Sequence, residues 1–480
     1  MRNYLYRSIG VVTAIFFMTL APAMGQDQAP PAAQYQPTLE SIGKHQVPQW
    51  YQDAKLGIFV HWGLYSVPAW APPSGEFGKV PFADWFKNNS YAEWYLNTMK
   101  IKDSPTWEHH VKTWGADFKY EDFIPVFQKE SRKWKPDEWA ALFAATGAKY
   151  VVFTTKHADG YPLWPTAVKN PHLKVNSLAA ERDYVGELTR AVRARGMKMG
   201  AYYCGGMDWS FVPDTVQTMA DVFRTIPQSE EYVRVADAHW RELIARYQPD
   251  ILWNDISYPK NGDFNGIISD YYNRNPQGVI DNRFGRGNDH ADFTTPEYAS
   301  FKTIVAKKWE TCRGIGYSFG YNQAEGPENM LSPGDLVRLL VDIVSKNGNL
   351  LLNVGPAADG SISELQLERL HALGQWLKVN GEAIYGTSPW IHPEARTTSG
   401  EQVRYTRKGE ALYAILLARP KNASVTIEGL SASPGSAIRL IGNDGTLAWT
   451  QEGANLVIKL PDSLHESYAY ALKITPAPVR

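Results

Sequence analysis

Between Leu56 and Leu352 the chain carries seven short apolar runs, and each gives way at its C-terminal end to a polar or ionisable residue. The runs are Leu56–Val60, Tyr150–Thr154, Met199–Tyr203, Ile251–Trp253, Gly278–Ile280, Lys308–Trp309 and Leu350–Leu352. Runs that are largely apolar rather than alternating suit strands covered on both faces. Helical patterns lie between them, as in Trp139/Leu142/Phe143, Trp240/Leu243/Ile244/Tyr247 and Leu336/Leu339/Leu340/Ile343/Val344, all spaced i, i+3, i+4. Ser332-Pro333 with Asp335 supplies a helix start, and Gly147, Gly196 and Gly348 stand where helix C-caps are expected. Strands alternating with helices imply a parallel sheet.

The residues leaving the runs decide which kind of parallel sheet. In order they are His61-Trp62-Gly63, Lys156-His157, Tyr202 with Gly205-Gly206, Asn254-Asp255, Asn282-Arg283, Glu310 and Asn353. A doubly wound sheet has no reason to converge polar side chains from every strand, whereas a barrel builds its pocket at that end. Residues 40–388 are therefore expected to form a (β/α)8-type, TIM-like barrel, regular or not, with a further strand near Trp114–Phe118. Within it, Ile251-Leu-Trp-Asn-Asp255 puts a carboxylate at a strand mouth, and Pro259 limits further pairing. On this pattern alone Asp255 either lines a pocket or caps the following turn.

Flanking segments read differently. Arg2 and Arg7, the apolar stretch Ile9–Leu20 and the small-x-small site Ala23-Met24-Gly25 make residues 1–25 a signal peptide. That stretch is shorter than the roughly 20 residues a spanning helix needs. A secreted or periplasmic protein, with no membrane attachment after signal removal, is expected. Residues 26–39, rich in Pro, Ala and Gln, are expected to be a disordered lead-in. Residues 389–480 turn to short alternating segments, Gln402–Tyr405, Ala411–Ile415, Ser424–Ile427, Ala437–Leu440, Leu456–Lys459 and Tyr468–Leu472, which imply a small antiparallel β-sandwich. It either binds glycan or packs on the barrel, and no aromatic cluster marks it for the former. A net charge of -1 leaves no footprint for nucleic acid. Cys204 and Cys312 are the only cysteines, too few for a disulfide framework. No HExxH, phosphate-loop or dinucleotide motif appears, so neither metal nor cofactor is expected.

Six longer motifs are not generic: Trp50–Gly63, Tyr91–Tyr95, Thr154–His157, Ile251–Asp255, Arg313–Asn322 and Gly348–Pro356. In this order they resemble the α-L-fucosidases of glycoside hydrolase family 29, through the barrel and into the sandwich. The resemblance implies a retaining, exo-acting hydrolase of fucosylated glycans, with Asp255 as nucleophile. By the match of Asp292-Phe-Thr-Thr-Pro-Glu-Tyr298 it makes Glu297 the acid/base, with Glu325, Glu310, Asp208 and Glu76 as competitors. Glycone contacts carry over to His61, Glu93, Trp94, His157, Tyr202, Trp253, Arg283 and Phe319. Ala158 departs: where the family often has a second histidine after His157, one sugar-facing imidazole is missing. A hydrolase of a related 6-deoxy or galactose-configured glycoside, and a non-catalytic sugar-binding barrel, remain as alternatives; a lectin would need neither Asp255 nor Glu297. The oligomeric state is left open.

Overall fold

The computed structural model describes residues 34–173, 179–285 and 290–478. The signal-peptide segment and most of the lead-in lie outside them. Seven parallel strands form one sheet: β1 (Leu56–Val60), β2 (Tyr150–Lys156), β3 (Lys198–Cys204), β4 (Ile251–Asp255), β5 (Val279–Ile280), β6 (Trp309–Gly314) and β7 (Gly348–Val354). Their order is β5-β4-β3-β2-β1-β7-β6. The gap between β5 and β6 is filled by the stretch 292–298, which has parallel bridges to both neighbours, Asp281 to Phe293 on one side, Thr294 to Trp309 and Glu297 to Cys312 on the other. Backbone bonds from Asp292 N to Ile280 O (3.0 Å), Glu310 N to Thr294 O (2.8 Å) and Tyr298 N to Cys312 O (3.1 Å) hold it there. The barrel expected from the sequence is thus present, with one irregular stave in place of a strand.

Several expectations are corrected. β4 runs through Asn254 and Asp255, and β2 through Lys156. β6 continues four residues past Glu310 to Gly314, so Glu310 lies inside the barrel rather than at its mouth. Gly348 opens β7 instead of capping a helix; Asn347, at φ 77°, takes the left-handed turn. Trp114–Phe118 forms no strand. Trp114 ends the helix Pro105–Thr113, and its ring packs 5.0 Å from Phe123, so the apolar pattern there serves a packed turn. Tyr35, placed in the disordered lead-in, is buried and exchanges two hydrogen bonds with Asn273 (2.9 and 2.8 Å).

Beyond the barrel, β8 (Ser388–Arg396), β9 (Gln402–Lys408), β10 (Ala411–Leu416), β11 (Ser424–Ile427), β12 (Ala437–Leu440), β13 (Trp449–Glu452), β14 (Asn455–Lys459) and β15 (Tyr470–Thr475) form antiparallel sheets ordered β12-β15-β10-β9-β8 and β11-β14-β13. β8 and β13 went unpredicted. β8 contains two prolines and shifts register between Pro389 and Glu394, and β13 is a polar edge. Every residue of β10 is buried, because Ala411, Tyr413 and Ile415 face the barrel helices while Leu412, Ala414 and Leu416 face the sandwich core. Arg404 donates to Asp342 (2.6 Å) on the helix Pro333–Ser345, and Trp376 to Ala469 O (3.0 Å). The sandwich packs on the barrel. Among the described residues no helix is long and apolar enough to cross a membrane.

Candidate active site

At the C-terminal mouth of the barrel lies a cavity of about 380 Å³. Asp255, Glu297 and every expected glycone contact, His61, Glu93, Trp94, His157, Tyr202, Trp253, Arg283 and Phe319, line it. None of the competing carboxylates does. Glu310 accepts from Tyr51, Tyr150 and Trp253 within the barrel interior. Glu325 caps a loop, accepting from the amides of Tyr317 and Ser318 at 2.8 Å. Asp208 pairs with buried Lys156 (2.9 Å), and Glu76 with Arg313 (3.1 Å).

Asp255 ends β4, and its carboxylate is held from three sides. Tyr202 O–H donates to Oδ2 (2.8 Å), while Arg283 Nη1 and the amide of Ile256 donate to Oδ1 (both 2.9 Å). The backbone then turns sharply through Ile256 (φ 56°) and Ser257 (φ 80°), left-handed values that cost Cβ-bearing residues about 1–3 kcal/mol each. Gly206 lets the turn close: a Cβ there would lie 1.6 Å from Ile256 O.

Arg283 links the two carboxylates. While Nη1 bonds Asp255, Nη2 donates to Glu297 Oε2 (3.0 Å), and Nε to Thr295 Oγ1 (2.8 Å). The other Glu297 oxygen accepts from Tyr91 O–H (2.7 Å). Glu297 rides on the irregular stave, whose base is tied by Asp292: its oxygens receive His45 Nδ1–H (2.8 Å), Tyr272 O–H (2.8 Å) and the amide of Ile280 (2.8 Å). Burial works to raise Asp292, but hydrogen bonds from His290 and His45 hold it at about 2. His45, His290 and Asp292 are the one group among the described residues spaced to share a metal ion. Both ring nitrogens of His45 are already engaged, by Asp292 and by Pro276 O (3.1 Å), so the group reads as an anchor.

The remaining polar groups are set as neutral hydrogen-bonding partners. Burial, helped by mutual repulsion with His157, pushes His61 down to about 3; burial and neighbouring Lys156 do the same for His157. Asn353 Nδ2 donates to Phe319 O (2.6 Å), which turns its Oδ1 toward His61 Nδ1 (2.7 Å). His61 therefore carries its proton on Nδ1 and leaves Nε2 as an acceptor. His157 Nδ1 is buried without a protein partner. Glu93 accepts from the amide of Gly320 (2.7 Å), yet burial pushes its carboxyl up to about 8, so it holds a proton at neutral pH. Ala158 is fully buried, its carbonyl accepts from the Trp209 amide (2.8 Å), and it does not line the cavity.

Sequence reasoning left several lining residues unassigned. Tyr91 sat inside a quoted motif without a role, although its place two residues before Glu93 in the same tight turn was the available signal. Phe77, Trp85 and Phe86 carried none, and Met219, Val222 and Phe223, on the short helix Met219–Arg224, carried only the spacing i, i+3, i+4. Cys204 and Cys312 are both free and buried.

Comparison with known proteins agrees with the geometry. The α-L-fucosidase family model matches residues 23–382, and the model of the α-L-fucosidase C-terminal domain matches residues 396–475. Human tissue α-L-fucosidase is 32% identical over 488 residues, spanning 98% of each chain. An α-L-fucosynthase of Thermotoga maritima, solved with α-L-fucosyl-(1-2)-β-L-fucosyl azide, is 45% identical and superimposes with a TM-score of 0.86, covering 92% of this chain and 99% of its own. The Thermotoga maritima α-fucosidase bound to a mechanism-based inhibitor gives 45% and 0.85, over 92% and 100%. Because the likeness extends through barrel and sandwich alike, at identities beyond what a shared fold leaves, this chain belongs to the α-L-fucosidases of glycoside hydrolase family 29.

Proposed function

We propose that the protein is an exo-acting, retaining α-L-fucosidase that removes terminal α-L-fucose from glycans or glycoconjugates. The observation that carries this reading is the guanidinium of Arg283 reaching Asp255 and Glu297 at once, at 2.9 and 3.0 Å. Two carboxylates within one guanidinium of each other suit the short separation, about 5–5.5 Å, of retaining enzymes rather than the wider gap that admits a water. Asp255, on the rigid strand end, attacks the anomeric carbon while Glu297 gives its proton to the departing oxygen. In the second half Glu297 takes a proton from water, and the resulting hydroxide displaces Asp255. Tyr202 and the Ile256 amide orient the nucleophile, and Tyr91 orients the acid.

A cavity of about 380 Å³ suits a single terminal sugar. His61 Nε2, His157, Arg283 and protonated Glu93 offer acceptors and donors to its hydroxyls, and Phe319 and Trp253 an apolar wall to a C6 methyl. That wall supports fucose over a C6-hydroxylated sugar. The N-terminal signal supports export to the periplasm or medium. Asp255→Gly tests the assignment: turnover of aryl α-L-fucoside falls by several orders of magnitude, and azide restores part of it. Azide enters the face the carboxylate vacates, so the product is β-L-fucosyl azide. An α-configured azide, or near-normal turnover without azide, refutes the nucleophile.

A further inference from the structure

The cavity changes character from its floor to its mouth. Its ionisable groups, His61, Glu93, His157, Asp255, Arg283 and Glu297, lie around the carboxylate pair. The lining residues that reach solvent on the apolar side instead include Phe77, Met219, Val222 and Phe223. Phe223 is 66% exposed and Met219 37%, and Phe82, 46% exposed, extends the rim through its ring contact with Phe77 (5.7 Å). From Phe77 the aromatic surface continues to Tyr91 (6.2 Å), the residue bonded to Glu297. Single exposed apolar side chains on a surface need no explanation. These converge from two segments distant in sequence on one pocket, next to the group that must meet a leaving-group oxygen.

The helix Met219–Arg224 makes the point most sharply. It fully buries none of its six residues, and Val222 is its one apolar side chain packed against the core. It is fastened by polar clasps: Thr218 caps it through the Asp221 amide (3.2 Å), and Arg224 bonds Asp221 (3.1 Å) and Asp214 (2.9 Å). A short helix pinned at its polar side, with Met219 and Phe223 left bare at the pocket mouth, is an apolar contact surface waiting for an apolar partner.

We infer that this helix, with Phe223 at its centre, is a wall of the leaving-group subsite and selects aglycones that present an apolar surface, an aryl or alkyl group or the hydrophobic face of a sugar, without reading their hydroxyls. The inference rests on the fucosidase reading of the cavity and deepens it. Recognition by apolar contact has no preferred azimuth, so the subsite tolerates different linkages while rewarding apolar area.

The test compares substrates that differ only in the leaving group. Wild-type protein, Phe223→Ala and Phe223→Leu are assayed on 4-nitrophenyl α-L-fucoside and on α-L-fucosyl fluoride, whose leaving group is too small to reach the helix. Phe223→Ala is expected to lower kcat/KM on the aryl fucoside by about three- to ten-fold, the worth of one aromatic contact, and to leave the fluoride within about two-fold. Phe223→Leu, which keeps apolar area, recovers most of the loss. Binding gives a second readout free of turnover: the alanine variant weakens an aryl 1-thio-α-L-fucoside several-fold and leaves L-fucose unchanged. Equal losses on both substrates, or none on either, overturn the inference. If wild-type protein neither hydrolyses the fluoride nor binds L-fucose, the fucosidase reading itself falls, and the subsite with it.

Discussion

His239 is expected to stabilise the fold at neutral pH and to destabilise it in acid, so that replacing it reverses sign across the pH range. It lies on the helix Glu230–Tyr247, 2% exposed, with Nδ1 3.0 Å from Tyr203 O–H, its ring 5.0 Å from that of Trp164, and Nε2 buried without a partner. Burial, with Lys156 adding repulsion, pushes its pKa down to about 3. In the unfolded chain the imidazole titrates near 6.5. The folded protein therefore keeps it neutral while the unfolded chain takes up a proton. Its contribution is complete above about pH 6.5 and is lost progressively as pH falls toward 3. At pH 4 the two states differ by about 2.5 units, or on the order of 3 kcal/mol. His239→Phe keeps a flat ring of similar size and removes the titration, but leaves Tyr203 O–H unpaired at about 1–2 kcal/mol. The variant should be less stable than wild type by that amount at pH 7.5 and more stable by about 1–2 kcal/mol at pH 4. His61 and His157 also titrate in acid, but they are present in both proteins and cancel. Urea unfolding followed by tryptophan fluorescence at the two pH values measures the gap. A gap of the same size and sign at both would refute the argument that burial holds this imidazole neutral.

Glu297→Ala should hurt sugar and alkyl leaving groups by about 100- to 10,000-fold and acidic phenols far less, since only the former need a proton; equal losses across a leaving-group series would move the acid/base role elsewhere. Glu93, held protonated up to about pH 8 by burial, should serve as a donor to a sugar hydroxyl. Inhibition by L-fucose should then weaken as pH rises through 8 in wild type and stay level from pH 6.5 to 9.5 in Glu93→Gln, which keeps a donor at every pH.

What could be read in advance follows from where regularity resides. Asp255 was legible because it ends a run of buried apolar residues, a pattern set by the need to cover both faces of a central strand. Glu297 was reachable only through resemblance: the stave that bears it includes Pro296 and follows a strand of two residues, so no periodicity marks it. Glu310 was misplaced for the opposite reason. A carboxylate in a strand interior looks like a strand end until Tyr51, Tyr150 and Trp253, distant in sequence, are seen to satisfy it. The missing imidazole at Ala158 suggested a gap in the sugar site; the alanine itself is buried in the turn after β2 and does not line the cavity, a placement that no local pattern encodes. The apolar mouth escaped notice because Met219, Val222 and Phe223, although spaced i, i+3, i+4, span little more than one helical turn, and the residues that join them come from a segment distant in sequence.

The irregular stave bears on how such a catalyst changes over generations. The nucleophile sits on a strand that pairs with β3 along its whole length and with β5 at its first two residues, so an insertion there would propagate through the sheet. The proton donor sits on a stretch fastened at its base by Asp292, with His45 and Tyr272, and by a few backbone bonds to β5 on one side and β6 on the other. Length and composition between Tyr298 and β6 can drift while the barrel stays closed. Descendants of such a scaffold would keep both carboxylates at fixed addresses and vary the segment that follows the proton donor. In the laboratory, grafting foreign segments between Tyr298 and the start of β6 accordingly leaves both the barrel and its proton donor in place.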